Sequence, residues 1–391
     1  MTATPDILVL GLGAMGAATL MHASGRGATV VGIDRFAPPH THGSTHGESR
    51  ITRLAIGEGP EYVPLVQRSH QLWRDLEQRR EVSLYEACGG LILGCGEATP
   101  MHGQAHFFES TVNVAAAHGI THELLDATQI ATRWPQFQLT GAEQGYFEPE
   151  AGYVRPEACI AAQLAEAKAR GAMIHTGERL LSWSEDSRGL LIQTDRGSYR
   201  PGQVIVCLGA WLPKFVPPGF VPPGLVSAPA LRVTRQVLYW FAADKPESYQ
   251  ANRFPIFIWN WGPKAGQGFY GFPDLGGGVK VATDGHQPCD PDAVPRVVSE
   301  AEVTHLYDTH VRSRLRGLGP ACVRTATCLY TEAPDARFWI DRVGHNGPII
   351  VSACSGHGFK HSAAIGESVA RWALRGELPA VLQPFAYVPE R

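Results

Sequence analysis

The start of the chain contains the pattern that most constrains its fold. A short apolar strand, residues 7–10, runs into Gly11-Leu12-Gly13-Ala14-Met15-Gly16, and a helical stretch and a second apolar strand, residues 28–33, follow. Asp34 comes directly after that strand. This order of strand, turn, helix, strand and acid is typical of a β-α-β unit that binds a dinucleotide. It predicts an α/β fold with a Rossmann-like domain.

The residues of this motif have separate physical roles. Gly11, Gly13 and Gly16 let the backbone approach a pyrophosphate at the helix N-terminus, where the helix dipole favours an anion. Asp34 can accept hydrogen bonds from ribose hydroxyl groups, and we expect Arg35 beside it to contact the same cofactor. The motif fits NAD as well as FAD, so it leaves the identity of the dinucleotide open.

Composition excludes several classes of protein. The chain has 391 residues, of which 44% are hydrophobic and 18% charged, as expected for a globular protein of two domains. The net charge is −3, and no long basic stretch indicates binding to nucleic acid or to a membrane. Eight cysteines without CxxC spacing indicate reduced thiols and a cytoplasmic location. His40, His42 and His46 lack the spacing of metal ligands, so we expect no metal.

The middle of the chain follows a different pattern. From 231 to 281 apolar and polar residues alternate, which is typical of an antiparallel sheet, whereas residues 349–374 return to a strand and a helix. Residues 101–135 and 294–316 have apolar positions at helical spacing, which predicts helices there. We therefore predict a discontinuous cofactor domain, residues 1–90, 145–215 and 320–391, and an inserted mixed and antiparallel substrate-binding domain, residues 91–144 and 216–319.

Two segments near the C-terminus narrow the choice of cofactor. Cys328 precedes a glycine-rich loop that ends in lysine, Ser355-Gly356-His357-Gly358-Phe359-Lys360. Together with the dinucleotide motif, they suggest a flavin that is held at both ends, with a covalent bond to the cysteine sulfur. A nicotinamide-dependent dehydrogenase would explain neither segment.

Several stretches together carry a resemblance to a known family. They are GLGAMG at the N-terminus, PPHTHGSTHGESRITR and the following GEGPEYVPL, YGFP at 270–273, the cysteine of TCLYTEAPDARFWID, and SGHGFK. Over almost its whole length the chain resembles the monomeric sarcosine oxidase and N-methyltryptophan oxidase family, which belongs to the glycine/D-amino-acid oxidase-like flavoproteins. The resemblance implies that the dinucleotide is FAD.

The resemblance also implies a role for individual residues. Cys328 would carry FAD through an 8α-S-cysteinyl thioether, and Lys280, His46 and Arg50 would act at the face of the flavin where oxygen reacts. The substrate carboxylate would be held by Arg53 and Lys360. The remaining implied contacts are Gly43, Ser44, Gly356, His357, Gly358 and Lys360 with the cofactor, and Tyr270 and Asp284 with the substrate.

The implied function is an FAD-dependent amine oxidase that acts on CH–NH donors. A secondary amino acid such as sarcosine would lose a hydride from its α or N-methyl carbon to flavin N5, and O2 would then yield hydrogen peroxide and an imine that hydrolyses. Two alternatives stay open: an oxidase of a cyclic secondary amine such as pipecolate, and a flavin-dependent dehydrogenase that does not use O2. The resemblance further implies a monomer whose partners are an amino acid and O2.

The chain departs from the sarcosine oxidase pattern inside the substrate pocket. Those enzymes carry a histidine four residues after the catalytic lysine, where this chain has Asp284, followed by His286. A carboxylate at that position repels a second carboxylate and attracts a cationic amine. The residue after Lys360 is His361, where those enzymes have an aromatic residue. These departures leave the side chain of the substrate open.

Overall fold

The computed structural model describes residues 2–95, 101–102, 104–216, 228–262, 264, 266–284, 287–344 and 347–386. Two large sheets dominate this part of the chain, one of six strands and one of nine. His286 and the proline pairs near residue 220 lie outside the described residues.

The six-stranded sheet is mostly parallel and is apolar on both faces. With strands numbered in chain order, it contains β10 (Met173–Thr176), β3 (Val30–Asp34), β2 (Ile7–Leu10), β14 (Gln203–Val206), β22 (Ile349–Ser352) and β21 (Trp339–Arg342). Only β21, at the edge, runs antiparallel to its neighbour. Ile7 and Val9 belong to one buried core, and Leu8 and Leu10 belong to another. The two cores explain why this strand is apolar without alternation.

Helices cover one face of this sheet, and a smaller sheet covers the other. The helices are α1 (Ala14–Ala23), α2 (Val63–Arg80), α5 (Pro156–Ala169) and α7 (Ser362–Arg375). The smaller sheet consists of β1 (Thr2–Ala3), β13 (Ser198–Tyr199), β12 (Gly189–Thr194) and β11 (Leu180–Asp186). The extensive contact between α1 and α7 brings the N-terminal motif and the C-terminal glycine loop into one unit.

The nine-stranded sheet is antiparallel apart from one parallel pair. In spatial order it contains β19 (Gln287–Pro288), β15 (Arg232–Ala243), β18 (Val279–Ala282), β17 (Gly268–Asp274), β16 (Ile256–Asn260), β6 (Gly90–Gly94), β8 (Gln144–Glu148) and β7 (Glu123–Asp126), while β20 (Leu318–Glu332) pairs with β15. The parallel pair is β6 with β16. A fourth sheet, of three strands, contains β4 (Arg50–Thr52), β9 (Gly152–Val154) and β5 (Tyr85–Glu86).

Strand alternation gives the nine-stranded sheet two different faces. Val279 and Val281 point into an aromatic core, which is covered by α4 (Ala127–Arg133) and α6 (Glu300–Leu306). Lys280 lies between them in the chain, so its side chain emerges on the opposite face. Cys328 and Tyr330 pack together in a small cluster on that same face. The face carries the side chains that line the candidate site.

The structure confirms the predicted fold class and the β-α-β unit, but the helix predicted over residues 101–135 is interrupted by a strand, and the helix predicted over residues 294–316 is shorter than predicted. Residues 101–135 contain α3 (Phe107–Ala117), then β7 and α4. Gly119, at φ 62°, ends α3 in the left-handed conformation that glycine adopts at no steric cost. The helix predicted from 294 begins at Glu300, because Ser299 and Glu302 form a capping box, and it continues as a π-helical turn, Tyr307–Val311.

The predicted domain boundaries stay a prediction. The strands β8 and β20 both pair within the nine-stranded sheet. Among the helices that the structure describes, none combines the length and the apolar character needed to cross a membrane.

Candidate active site

The turn between β2 and α1 is closely packed and has no room for a side chain at Gly11 or Gly16. A Cβ atom on Gly16 would lie 1.7 Å from the Gly11 carbonyl oxygen, and one on Gly11, at φ 87°, would lie 2.4 Å from the Cys207 oxygen. The Asp34 carboxylate accepts hydrogen bonds from the backbone N–H groups of Leu12 and Phe36, each at 2.7 Å. The acid is therefore fixed beside the glycine turn, as a dinucleotide site requires.

A cavity of about 430 Å³ opens from this turn. Its walls bring together most of the residues predicted to bind the cofactor, namely Gly11, Gly13, Asp34, Arg35, Gly43, Ser44, Gly356 and Gly358, and they also include Arg50, which was predicted to be catalytic. Arg35 forms an ion pair with Asp292 at 2.5 Å, so part of its charge is already neutralised. A Cβ atom on Gly358 would lie 1.7 Å from the Ala353 oxygen, which explains why the C-terminal loop needs glycine there.

A second, smaller cavity of about 60 Å³ lies against the first. The two share Arg50, Tyr330, Gly356 and Phe359 as wall residues. The smaller cavity is also lined by the predicted substrate and catalytic residues Arg53, Tyr270, Lys280, Asp284 and Lys360, and by His357, which was predicted to contact the cofactor. The hydroxyl groups of Tyr270 and Tyr330 lie 3.2 Å apart on its wall. A dinucleotide and a small second molecule can therefore meet at one common wall.

Arg53 enters this cavity from a rigid segment just after β4. Its Nη2 atom pairs with Glu58 Oε2 at 2.7 Å, its Nη1 atom donates to the Ala55 carbonyl, and its guanidinium carbon lies 5.0 Å from the centre of the Phe107 ring. Its Nε atom has no hydrogen-bond partner among the described residues. Glu148 accepts from the N–H groups of Leu54 and Ala55 and thereby holds the segment in place.

Four charged groups alternate in sign along one wall of the smaller cavity. The first two are Arg53 and Glu58, which form an ion pair. The next is His102, whose Nδ1 atom lies 3.1 Å from Glu58 Oε1. Its Nε2 atom lies 3.7 Å from Oδ1 of the fourth group, Asp284. Burial opposes a charge on His102, but the carboxylates of Asp284 and Glu58 outweigh it and raise its pKa to about 9. Burial likewise opposes ionisation of Glu58, but Arg53 and Lys360 hold its pKa well below the ordinary value.

Lys360 adds a further cation to the same cavity. Its Nζ atom donates to the His357 carbonyl at 2.9 Å. Burial lowers its pKa to about 8, although the nearby Glu58 carboxylate opposes the shift. Burial also lowers the pKa of His357 to about 3, so that this imidazole is neutral at physiological pH. The predicted carboxylate partners, Arg53 and Lys360, thus line one cavity.

Lys280 reaches the site from the centre of β18. Its Nζ atom donates to the carbonyl oxygens of Gly47 at 2.9 Å and Ser49 at 2.7 Å, and it lies 3.8 Å from the centre of the Phe272 ring. Burial is the main reason that its pKa lies well below the ordinary value, and the Arg50 guanidinium adds to the effect. A buried lysine with a depressed pKa, held by backbone groups, is a strong candidate for a functional residue.

Arg50 is the first residue of β4, and His46 lies in the loop between β3 and β4. Arg50 donates to the carbonyl groups of Ser44 at 2.8 Å and Ser49 at 2.9 Å. Burial and then Arg50 lower the pKa of His46 to about 4. The His46 Nε2 atom and the Ser49 hydroxyl are buried without a hydrogen-bond partner among the described residues. Buried polar atoms of this kind are often satisfied by a bound ligand or by water.

Cys328 is 1% exposed and lies on neither cavity wall. It packs in one small cluster with Tyr330 and Cys354, which do line the large cavity. Burial raises the pKa of its thiol, and the Arg50 charge opposes that effect. All eight cysteines are free thiols.

The sequence reasoning missed three residues of the site. Tyr330 could have been found, because it lies two positions after Cys328 on one strand and therefore shares its face. Glu58 had a weaker signal, as the acid that follows Arg53 by five positions. His102 had none, since only the tertiary fold brings it beside Glu58 and Asp284.

Comparisons with known proteins agree with this arrangement. A family model described as "DAO: FAD dependent oxidoreductase" matches residues 6–372. The chain is 35% identical to a monomeric sarcosine oxidase of Streptomyces avermitilis over 383 residues, which cover 96% of this chain and 95% of that one. It is 32% identical to an N-methyl-L-tryptophan oxidase of Salmonella agona, with 97% of each chain covered.

The fold has a similar counterpart among solved structures. NikD, described as an unusual amino acid oxidase essential for nikkomycin biosynthesis, superposes with a TM-score of 0.84 at 25% identity, and the match covers 98% of both chains.

Proposed function

This chain belongs to the DAO family of FAD-dependent oxidoreductases, and from that premise we propose that it oxidises small secondary amino acids, such as sarcosine, with O2 as the electron acceptor. The observation that carries the proposal is the pair of cations, Arg53 and Lys360, in a small cavity that shares a wall with the dinucleotide cavity. Relatives named for sarcosine and N-methyltryptophan oxidation support the same class of substrate.

The described residues fit FAD. The closely packed glycine turn, the fixed Asp34 carboxylate and the large cavity suit the adenine dinucleotide part. Buried polar atoms without partners, His46 Nε2 and the Ser49 hydroxyl, lie in the loop that borders the other end. FAD, when bound, would accept two electrons from the carbon next to the substrate amine and pass them to O2, which gives hydrogen peroxide.

We propose that Cys328 carries FAD as an 8α-S-cysteinyl thioether. The thiol packs beside Tyr330 and Cys354, which line the large cavity, and the Arg50 charge favours its thiolate form. A thiolate is the nucleophilic form of cysteine, so a nearby guanidinium would assist such a bond. Its formation would break the thiol S–H bond and one C–H bond of the 8α methyl group; the flavin itself would take up the two electrons and O2 would then accept them.

Charge explains how the smaller cavity would bind an amino acid. Among the groups that line this cavity, the cations Arg50, Arg53, Lys360 and protonated His102 outnumber the anions Glu58 and Asp284. This excess of positive charge would attract a substrate carboxylate, and the planar guanidinium and the ammonium group are the donors that a carboxylate prefers.

The size of the cavity supports a small substrate. A volume of 60 Å³ holds roughly four to six water-sized groups, since a single water needs about 10–15 Å³. Tyr270 and Tyr330 close one side of the cavity with their hydroxyl groups, and Phe272 and Ile258 give it apolar walls. These walls exclude water and fix the orientation of the substrate C–H bond, which is how a protein assists this class of reaction.

Lys280, Arg50 and His46 would serve the oxygen half of the reaction. The Arg50 guanidinium is a positive group in a buried site, and Lys280, when protonated, is a second; both can stabilise negative charge that develops on oxygen. We also propose that the protein is a cytoplasmic monomer; the eight free thiols support a reducing compartment.

Oxygen consumption and peroxide release test this function. Sarcosine and N-methylalanine should each consume O2 and release peroxide in equal amounts, whereas glycine and alanine should react much more slowly. Substrate that is oxidised only when an artificial electron acceptor is added would contradict the oxidase and favour a dehydrogenase.

A further inference from the structure

The segment Gly47-Glu48-Ser49 forms a γ-turn with an uncommon backbone. The Ser49 N–H donates to the Gly47 carbonyl at 2.8 Å, and the central residue, Glu48, has φ 74°. A γ-turn with a positive φ at its centre is rare and strained, and a residue with a Cβ atom seldom adopts it. Such a conformation persists only where the surrounding structure enforces it, and it is found most often at functional sites.

The side chain of Glu48 is held by one aromatic and one cationic side chain. Its Oε2 atom accepts from Trp240 Nε1 at 2.7 Å and from Arg324 Nη2 at 2.8 Å. The Arg324 guanidinium carbon lies 3.9 Å from the centre of the Trp240 ring, so Arg324 stacks on Trp240 while Glu48 is hydrogen-bonded to both. Trp240 is 1% exposed and therefore gives this unit a fixed base.

The backbone of the turn is held from the other side. The N–H groups of Gly47 and Glu48 donate to Glu157 Oε1 at 2.6 Å and 3.1 Å. A Cβ atom on Gly47 would lie 2.4 Å from Leu238 Cδ1, so the turn also packs closely against β15. These contacts supply the constraint that a strained turn needs.

The turn directs its two outer carbonyl groups at one atom. The oxygens of Gly47 and Ser49 both accept from Lys280 Nζ, at 2.9 Å and 2.7 Å. If Glu48 relaxed to a negative φ, the peptide groups on either side of it would rotate, and the two oxygens could no longer converge on the ammonium group. The position of Lys280 thus depends on the conformation of a residue that does not touch it.

We propose that Glu48, clamped by Trp240 and Arg324, is a positioning residue that fixes Lys280 for the reaction with oxygen by holding the Gly47–Ser49 turn in its strained form. The inference rests on the proposed role of Lys280 and adds to it the group that sets its geometry. Of the two side chains that hold Glu48, Arg324 faces solvent, and its side chain is 45% exposed.

Two substitutions separate the backbone effect from the loss of charge. Glu48→Ala and Glu48→Gly both remove the carboxylate and its hydrogen bonds with Trp240 and Arg324. Only glycine, however, adopts φ 74° without steric strain. We expect Glu48→Ala to reoxidise its reduced flavin about tenfold more slowly than the wild-type protein, which corresponds to about 1.4 kcal/mol. Glu48→Gly should reoxidise at least threefold faster than Glu48→Ala, and the rate of flavin reduction by substrate should change less than twofold in both.

Amide hydrogen exchange gives a readout that does not depend on turnover. The peptide covering residues 44–53 should exchange faster in Glu48→Ala than in the wild-type protein or in Glu48→Gly, while the rest of the chain keeps its protection. Glu81→Ala is the matched control, because Glu81 also has a positive φ, 52°, but caps α2 at an exposed position. It should alter neither the reoxidation rate nor the exchange of this peptide.

Equal reoxidation and exchange in the alanine and glycine variants would overturn the proposal, as would wild-type reoxidation in Glu48→Ala. Lys280→Met separates this failure from a failure of the proposed function. If Lys280→Met reoxidised as fast as the wild-type protein, Lys280 would have no oxygen role, even if the exchange data showed that Glu48 holds the turn.

Discussion

Cys328 combines two properties that oppose each other. Burial raises the pKa of its thiol, whereas the Arg50 charge favours the thiolate. A second thiol, Cys354, packs against the same cluster and lines the large cavity. The two cysteines differ in position and also in burial, since Cys328 is buried and Cys354 is only partly buried, and substitution distinguishes their roles.

Cys328→Ser should release its FAD on denaturation, because a hydroxyl group is too weak a nucleophile to form the bond at neutral pH. Flavin fluorescence on a denaturing gel measures the bond, and oxidase activity should fall with it. Cys354→Ser should keep the fluorescent band. A fluorescent Cys328→Ser band of wild-type intensity would refute the assignment.

His102 links protein stability to pH. Its folded pKa is raised to about 9, whereas an unfolded histidine titrates near pH 6.5. Its stabilising contribution is therefore fully present below about pH 6.5 and is lost as the pH rises through about 9. From the difference in pKa, the contribution is at most on the order of 3 kcal/mol.

His102→Gln should lower the Tm at pH 6, and the difference from the wild-type protein should shrink steadily towards pH 9.5. Thermal unfolding at several pH values measures this, and the pH 9.5 sample serves as the internal control. A Tm difference that stays constant with pH would mean that the imidazole is not charged between Glu58 and Asp284.

Asp284 should lower kcat/KM for substrates that carry a second carboxylate. Asp284→Asn removes one negative charge from the cavity wall, 3.7 Å from His102, so a second carboxylate is no longer repelled at this point. We expect the ratio of kcat/KM for N-methylaspartate to that for N-methylalanine to rise about tenfold, which corresponds to about 1.4 kcal/mol. An unchanged ratio would show that Asp284 does not face the substrate.

Among the contacts between helices and strands, the contact between α1 and α7 matters most for the cofactor site, because it joins the N-terminal glycine turn to the C-terminal glycine loop. Gly366 of α7 lies directly against α1, where an added Cβ atom would be 2.3 Å from Ala18 Cβ and 2.6 Å from the Ala18 carbonyl carbon. Alanine is favoured over glycine inside a helix by about 1 kcal/mol. A clash with backbone atoms outweighs that gain, because overpacking typically destabilises by about 1–3 kcal/mol.

Gly366→Ala should therefore lower the Tm and the amount of FAD that copurifies, since α1 carries the dinucleotide turn. Gly197→Ala is the matched control: its φ is not in the left-handed region, and a Cβ atom there would meet no described atom within 4 Å. Equal Tm values for the two variants would contradict the close packing of α1 on α7.

Sequence patterns predicted the helices and strands that follow a local motif or a regular alternation of apolar and polar residues. The glycine motif with Asp34 located the β-α-β unit, and the alternation around Lys280 located an antiparallel sheet. The helix predicted over residues 101–135 is wrong, because apolar residues at helical spacing also occur in β7 and α4, and the breaking effect of Gly119 was not recognised. The pairing of His102 with Glu58 depends on tertiary structure, and no local pattern could predict it.

For the molecule as a whole, the site lies where the two large sheets approach each other. The six-stranded sheet supplies the glycine turn, the helix N-terminus and Asp34, while the nine-stranded sheet supplies Lys280, Cys328 and Tyr330. The family resemblance found in the sequence named most of these residues as candidates, but their burial and hydrogen-bond partners required the structure. Neither sheet alone carries a complete set of groups for amine oxidation.

The most direct test is anaerobic bleaching of the flavin absorbance in the purified protein. The panel contains sarcosine, N-methylalanine, N-methyltryptophan, L-pipecolate, L-proline and glycine. The charge and the size of the smaller cavity predict fast bleaching by sarcosine or N-methylalanine, and much slower bleaching by N-methyltryptophan and glycine. A flavin that no secondary amino acid bleaches would contradict the proposed function.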